Sequence, residues 1–330
     1  MAEDSCSHSQ SDDKLQSYVD GQVQFFTHGI PNSPLQHFPS EAGLEYETVY
    51  IPALDGVMLE AWYIPGSSNK VIVCNHPMTF NKGGYPGKQK GFDGFGPIDV
   101  SISACGCCSH VQVNFIPDYK NLHDEGYHVV VYDQRNHGRS QNNWGSPRVF
   151  TTGYEEAKDM PGVLNWVRAH PKMKGMEIAL YPRCMGANAV IISFKRFPEY
   201  YKDIKAMVAL QPVSAGTFVT TGATAQGLDP NKALELFDKG CFAEIGIKAE
   251  QMAPQWACDA VHCPTLVAQV RDDVFVDAKK DTQEIHDLLA TKQKKLYWIT
   301  GTTRRFDGYN YFPEHPEELI NWFRKHFPAK

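Results

Sequence analysis

The sequence predicts an α/β protein with a mostly parallel sheet of about eight strands, helices on both faces and a small helical cap. Short β-branched and apolar runs alternate with helical patterns along the chain. Two of these runs, residues 71–75 and 128–133, are almost wholly apolar, which is typical of strands buried on both faces. The alternation is interrupted once, at about residues 213–263. An insertion there would cover the carboxyl ends of the strands, where open α/β sheets bind ligands.

The first forty residues are polar and Pro-rich, and they are interpreted as an N-terminal extension. One domain is then predicted over residues 41–330. Its first two strands, at 46–52 and 58–64, flank a turn and predict an antiparallel pair. The other strands are predicted at 71–75, 128–133, 177–181, 206–211, 265–270 and 295–300. Helices are predicted before Gly126, at 155–169 and 185–197, between the last two strands, and from Pro316 to His326.

Charge and hydropathy exclude several classes of protein. The chain has 32 basic and 38 acidic residues, a net charge of −6, and no long basic run. This argues against nucleic acid or an anionic membrane as the main partner. No apolar run is long enough to span a bilayer, and the polar, acidic start does not resemble a signal peptide. A soluble, cytoplasmic protein is expected. No glycine-rich phosphate loop is present, so no cofactor is predicted.

The nine cysteines do not form the pattern of a disulfide framework, because their number is odd and the chain is large. Cys105, Cys107, Cys108 and His110 form a C-x-C-C-x-H cluster. No second pair stands at the distance that a structural zinc site requires. We therefore predict loop or packing cysteines there and no metal.

Two segments carry a resemblance to a known family. Residues 126–140 resemble the fourth-strand signature of the α/β-hydrolase superfamily, and residues 181–189 lie where that fold places its G-x-S-x-G nucleophile elbow. The resemblance covers about residues 45–328. Residues 183–188 and 303–311 are similar to one branch, the fungal polyketide transferases and their bacterial relatives. This resemblance implies an acyltransferase or hydrolase of secondary metabolism that acts on an activated acyl or polyketide-like substrate.

The resemblance places Cys184 at the nucleophile position. Pro182 replaces the first glycine of the elbow, while Gly186 is retained. A thiol just before a helix N-terminus and next to Arg183 is expected to favour its thiolate form. The alternative is that Cys184 is an inert, buried residue on an inactive scaffold.

Other site residues follow from the same resemblance. The oxyanion hole would use the backbone N–H groups of Met185 and Met78. His76 would orient the loop after the third strand or take part in catalysis. Asp273 corresponds to the triad acid, with Asp272 as the second choice.

The catalytic histidine of the fold is missing. The equivalent position is expected to hold Arg304, and arginine stays protonated, so it does not act as a general base. The two later histidines, His315 and His326, are expected at the surface. A thiolate, unlike a serine hydroxyl, needs no partner to take its proton during attack.

These observations predict acyl transfer from an already activated donor, such as a thioester or a carrier-bound acyl chain. Arg304 or Arg305 would bind an anionic group of the substrate, and Tyr309 would line the site or pack against the last helix. A second possibility is a lyase, isomerase or cyclase in which Arg304 and His76 polarise the substrate. A third is a ligand-binding protein without activity. The sequence does not identify the substrate, the acceptor or the oligomeric state.

Overall fold

An eight-stranded sheet forms the centre of the chain, seen in a computed structural model that describes residues 2–28, 33–90, 110–142 and 149–329. Its strands are β1 (Glu47–Pro52), β2 (Met58–Ile64), β3 (Lys70–Cys74), β6 (His128–Tyr132), β7 (Glu177–Tyr181), β8 (Ile204–Leu210), β9 (Thr265–Val270) and β10 (Lys294–Ile299). Two short strands, β4 (Gly84–Tyr85) and β5 (Val113–Asn114), form a separate antiparallel pair.

The order across the large sheet is β1-β2-β6-β3-β7-β8-β9-β10. Strand β2 runs antiparallel to both of its neighbours, β1 and β6. The remaining strands are parallel. All eight predicted strands are present, and the prediction of a mostly parallel sheet is confirmed.

Alternating side chains of the central strands enter two separate cores. In β3, Ile72 and Cys74 belong to the apolar cluster on one face, while Val71 and Val73 belong to the cluster on the other. Because successive residues of a strand point to opposite faces, a continuous apolar run is needed where both faces are covered.

Helices cover both faces of the sheet. In the described part of the chain they are α1 (Ala2–His28), α2 (Ile116–Asp124), α3 (Asp159–Ala169), α4 (Met185–Arg196), α5 (Ala215–Ala225), α6 (Pro230–Ile245), α7 (Ala278–Leu288), α8 (Arg305–Glu314) and α9 (Glu317–His326). Buried residues of α1, α2, α5 and α9 join one core, and those of α3 and α4, with Ile285 of α7, join the other. Helices α1 and α8 were not predicted, and of the two helices in the inserted segment only α6 was. None of the described helices is long and apolar enough to cross a membrane.

The N-terminal segment is helical and packed, which the composition of residues 1–40 does not suggest. Seven of the described side chains of α1 are buried, at positions 15, 18, 19, 22, 25, 26 and 27. Their spacing of three and four residues is that of one helix face. The Tyr18 hydroxyl donates to the Val219 carbonyl of α5 at 2.8 Å, and the ring of Phe26 packs edge-on against Phe237 of α6. Helix α1 is therefore part of the core.

Candidate active site

Cys184 occupies a sharp turn between β7 and α4. Its backbone angles, φ 50° and ψ −119°, are strained for a residue with a side chain. The Cys184 N–H donates to the Leu210 carbonyl at the end of β8, at 2.7 Å, and this bond holds the turn in place. The turn presents the sulfur at the carboxyl end of the sheet, on the N-terminal side of α4.

Gly186 is required by a close approach from the loop after β3. A Cβ atom at this position would lie 2.1 Å from the Asn75 Oδ1 atom. The Asn75 amide accepts from the Arg183 N–H at 3.1 Å and donates to the Gly186 carbonyl at 3.1 Å. Asn75 thereby joins the loop to both sides of the turn that carries Cys184.

Arg305, the first residue of α8, faces the Cys184 sulfur. Its Nη2 atom lies 3.6 Å from the Cys184 Sγ atom. Its Nη1 atom donates to the Asp273 Oδ2 atom at 2.7 Å. The guanidinium thus bridges the cysteine and a buried carboxylate, which is the place that histidine takes in a catalytic triad.

Arg305 is held by several further contacts. Its Nη2 atom donates to the Gln211 carbonyl at 2.5 Å, and its Nε atom donates to the Tyr309 hydroxyl at 3.0 Å. Burial acts against the charge, but Tyr309, Cys184 and Asp273 keep the pKa of Arg305 well above its usual value. The guanidinium is therefore a fixed positive charge beside the sulfur.

The carboxylate behind Arg305 is also fixed. The Asp273 Oδ2 atom accepts from Gln269 Nε2, and its Oδ1 atom accepts from the Phe275 N–H, both at 2.9 Å. Burial raises the pKa of Asp273, and the charge of Arg305 opposes this effect. These contacts set the orientation of the guanidinium.

A small, mainly apolar cavity lies against this cluster. Its volume is about 40 Å³, space for roughly three water molecules. Its polar lining residues are Gln22, Cys184, Arg305 and Tyr309, and its apolar ones are Phe25, Phe26, Pro77, Met78, Phe80, Phe218, Phe275 and Phe306. Residues of α1 thus form one wall of the site. Sequence reasoning missed them, although the spacing of the buried positions in α1 was a readable signal.

No family model and no curated protein matches the chain, but solved structures do. The Pyrococcus furiosus esterase Pf2001 superposes with a TM-score of 0.63 at 18% identity, covering 90% of this chain and 97% of the esterase. The α/β hydrolase GrgF from Penicillium sp. sh18 gives 0.54 at 15% identity, covering 86% and 99%. A dienelactone hydrolase from Anabaena variabilis gives 0.50 at 13% identity, covering 86% and 98%. The chain has the α/β-hydrolase fold.

Arg304, the residue expected in place of the histidine, does not face Cys184, whereas its neighbour Arg305 does. Arg304 is the N-cap of α8, and its exposed side chain pairs with Asp307, with 2.8 Å between Nε and Oδ2. Because α8 begins at the next residue, the side chain that turns inward is that of Arg305. The second choice for the acid, Asp272, is also exposed and pairs with Lys279.

His76 is buried and has both ring nitrogens occupied by the backbone. Its Nδ1 atom lies 2.7 Å from the Pro77 carbonyl, and its Nε2 atom accepts from the Gln134 N–H at 3.0 Å. Burial lowers its pKa to about 3. Both ring nitrogens are thus engaged by the backbone rather than by the sulfur, and the loop-orienting role of His76 stays a prediction.

Arg183 does not add its charge to the Cys184 thiol as expected. Its side chain enters the core below the turn, where Nη2 donates to the Asp118 carboxylate at 2.7 Å. The guanidinium lies 4.0 Å from the centre of the Tyr181 ring and 4.3 Å from that of Phe115. The positive charge that reaches the sulfur comes from Arg305.

Of the two predicted oxyanion donors, Met185 directly follows Cys184 and Met78 lies at the cavity. Met185 is the first residue of α4, so its N–H has no acceptor within the helix. Met78 lines the cavity with Cys184. Their role stays a prediction. His315 is exposed, and His326 packs on Trp322 away from the cavity lining.

Among the described residues, no group of three or more His, Cys, Asp or Glu is arranged to hold a metal ion. Cys105, Cys107 and Cys108 lie outside the described residues, so the C-x-C-C-x-H cluster is not part of this result.

Proposed function

We propose that the chain is an acyl-transferring enzyme in which Cys184 carries the acyl group as a thioester. The observation that carries the proposal is the contact of 3.6 Å between Arg305 Nη2 and Cys184 Sγ. A guanidinium at this distance stabilises a thiolate by a charge-assisted interaction. Asp273, Tyr309 and the Gln211 carbonyl accept the other N–H groups of Arg305, and together they fix the guanidinium beside the sulfur.

The first chemical step needs no base. A lone pair of the Cys184 thiolate forms a bond to the acyl carbon, and the carbonyl π electrons move to the oxygen. The N–H groups of Met185 and Met78 would hold that oxyanion. When the carbonyl re-forms, the bond to the donor sulfur breaks and the donor leaves as a thiolate, which does not require protonation.

The absence of a catalytic histidine restricts the class of compound that can donate the acyl group. Amide and alkyl ester leaving groups need a general acid, and an arginine does not release a proton at ordinary pH. A thioester is a donor whose leaving group departs as an anion. The phenylalanine-rich lining favours apolar acyl groups, which is compatible with the polyketide-like chains implied by the family resemblance.

Transfer to the acceptor reverses these movements of electrons. An alcohol, an amine or water attacks the acyl-Cys184 carbonyl, and Cys184 leaves as the thiolate that Arg305 stabilises. The acceptor proton goes to solvent, since no described group in the lining is a free base. Acceptors that ionise readily are therefore favoured over water. Two of the similar structures are named for hydrolysis, as an esterase and a dienelactone hydrolase, so hydrolysis remains the simplest form of the reaction.

We also infer that α1 and the inserted helices α5 and α6 form the cap of the site. Phe218 of α5 lines the cavity beside the α1 residues, and α6 packs on α1 through Phe237. The non-covalent alternative loses support, because Arg304 and His76, its two polarising residues, are engaged elsewhere.

The proposal is tested by incubating the protein with a panel of N-acetylcysteamine thioesters and measuring its intact mass. The wild type is expected to gain one acyl group, and Cys184→Ala none. Cys241→Ala is the matched control: this thiol lies buried in α6, burial raises its pKa to about 12, and its removal should leave acylation unchanged.

Two results would refute the proposal. One is turnover of a thioester that survives in Cys184→Ala, since the reaction would then not pass through this sulfur. The other is a wild type that binds these compounds, as judged by thermal stabilisation, but never acquires their acyl mass.

A further inference from the structure

Gln22 is an unusual residue in the wall of the cavity. It lies on α1, is only 1% exposed, and lines the cavity together with Cys184. Neither its Oε1 nor its Nε2 atom has a hydrogen-bond partner among the described residues. A buried amide without partners is unfavourable, so a ligand that supplies them gains that free energy on binding.

The other polar residues of the lining are already engaged. Arg305 donates to Asp273, Gln211 and Tyr309 as well as to the sulfur. The rest of the lining is aromatic or aliphatic. An apolar surface with one unsatisfied amide is typical of a site in which a single polar contact fixes the orientation of the ligand.

The helix that carries Gln22 is held in position. The Phe150 N–H donates to the Phe26 carbonyl at 2.9 Å, next to the end of α1. The rings of Phe25 and Phe150 pack edge-on, as do those of Phe26 and Phe237. Gln22 therefore projects from a packed helix rather than from a loop, which limits the positions that its amide can adopt.

We propose that Gln22 recognises an oxygen substituent on the acyl group that reacts at Cys184. The Nε2 atom donates to a hydroxyl or keto oxygen of the chain, and the Oε1 atom accepts from a hydroxyl. This inference rests on the proposed function and narrows its substrate to acyl groups that carry an oxygen substituent. Gln22 would act as a specificity-determining residue that does not touch the reacting atoms.

The test compares butanoyl, 3-hydroxybutanoyl and 3-oxobutanoyl thioesters of N-acetylcysteamine. Rate constants for acylation of Cys184 are measured by intact mass in the wild type and in Gln22→Met, which keeps the length of the side chain and removes both polar groups. The preference for the oxygenated chains over butanoyl should fall about ten- to a hundredfold in the variant. Intrinsic differences in reactivity cancel, because each preference is compared between two proteins.

Gln24→Met is the matched control, since Gln24 lies on the exposed side of the same helix. It should retain the wild-type preference. An unchanged preference in Gln22→Met would overturn the inference, and so would an equal loss of preference in Gln24→Met.

A wrong proposed function can be distinguished from a wrong role for Gln22. If no thioester acylates the wild type, the unreactive N-alkyl amides of the same three acids are used as ligands, and thermal stabilisation is measured. Stronger stabilisation by the 3-hydroxy amide in the wild type than in Gln22→Met would support the role of Gln22 without acyl transfer. Equal stabilisation would overturn it.

Discussion

Two buried arginines lie on opposite sides of the turn that holds Cys184, and they do different things. Arg183 precedes the cysteine directly, and Arg305 is 121 residues away. Each pairs with one buried aspartate at 2.7 Å, Asp118 and Asp273 respectively. Arg183 lies among aromatic rings below the turn, whereas Arg305 contacts the sulfur.

The difference shows that adjacency in sequence does not place a charge at a reactive group. Arg183 follows Tyr181 by two residues, so both side chains project to the same face of the strand, and the guanidinium stacks on the ring. Cys184, the next residue, projects differently because the backbone turns sharply there. Arg183 therefore stabilises the turn, and Arg305 contacts the sulfur.

The largest expected effect is on stability. Arg183→Met leaves the Asp118 carboxylate buried without its ion pair, which should lower the free energy of unfolding by about 3–5 kcal/mol. Urea unfolding measures this loss. The double variant Arg183→Met/Asp118→Asn should recover part of it. A stable Arg183→Met protein with an unreactive Cys184 would reverse the roles assigned to the two arginines.

Arg305→Lys tests the other arginine. Lysine keeps the charge near Asp273 but lacks the forked geometry, so Cys184 should react with iodoacetamide about ten- to a hundredfold more slowly at pH 7. The matched control is Arg304→Lys at the exposed neighbouring position, which should react like the wild type. Equal rates in all three proteins would show that Arg305 does not activate the thiol.

A variant of His76 tests whether the loop that faces the turn also contributes to the stability of the fold. The pKa of His76 is about 3 in the folded chain and about 6.5 in the unfolded chain. Between these two values, the unfolded chain binds one proton more than the folded chain. Stability is therefore full above pH 6.5 and decreases as the pH falls toward 3, by about 2 kcal/mol between pH 7 and pH 5. His76→Asn should reduce this dependence in urea unfolding, while His262→Asn, at an exposed site, should not.

The smallest effect is expected for Asp273→Asn. The amide oxygen still accepts a hydrogen bond from Arg305, but the charge that orients the guanidinium is lost, so acylation of Cys184 should slow about fivefold. Asp272→Asn, at the exposed adjacent position, is the control and should not slow it. A larger loss with Asp272→Asn would mean that the acid has been assigned to the wrong residue.

Much of the fold follows from the sequence, because strands buried on both faces leave continuous apolar runs such as residues 71–75. The position of Cys184 also follows, since a strand, a tight turn and a helix succeed one another there. Helix α1 was not predicted because its apolar face consists of only a few positions, which lie among many polar residues in the sequence. Arg305 faces the site and Arg304 does not because α8 begins between them, and the N-cap residue Arg304 makes no side-chain capping hydrogen bond that would mark this boundary in the sequence.

The most direct measurement is peptide-mapped acylation by a butanoyl thioester at pH 7, with the wild type and Arg305→Met compared side by side. Our account predicts that the acyl mass is found on the peptide containing Cys184 in both proteins, and that it accumulates at least about tenfold more slowly in the variant. Acylation at equal rates, or an acyl group on any other residue, would contradict the assignment of Arg305 and Cys184 as the reactive pair.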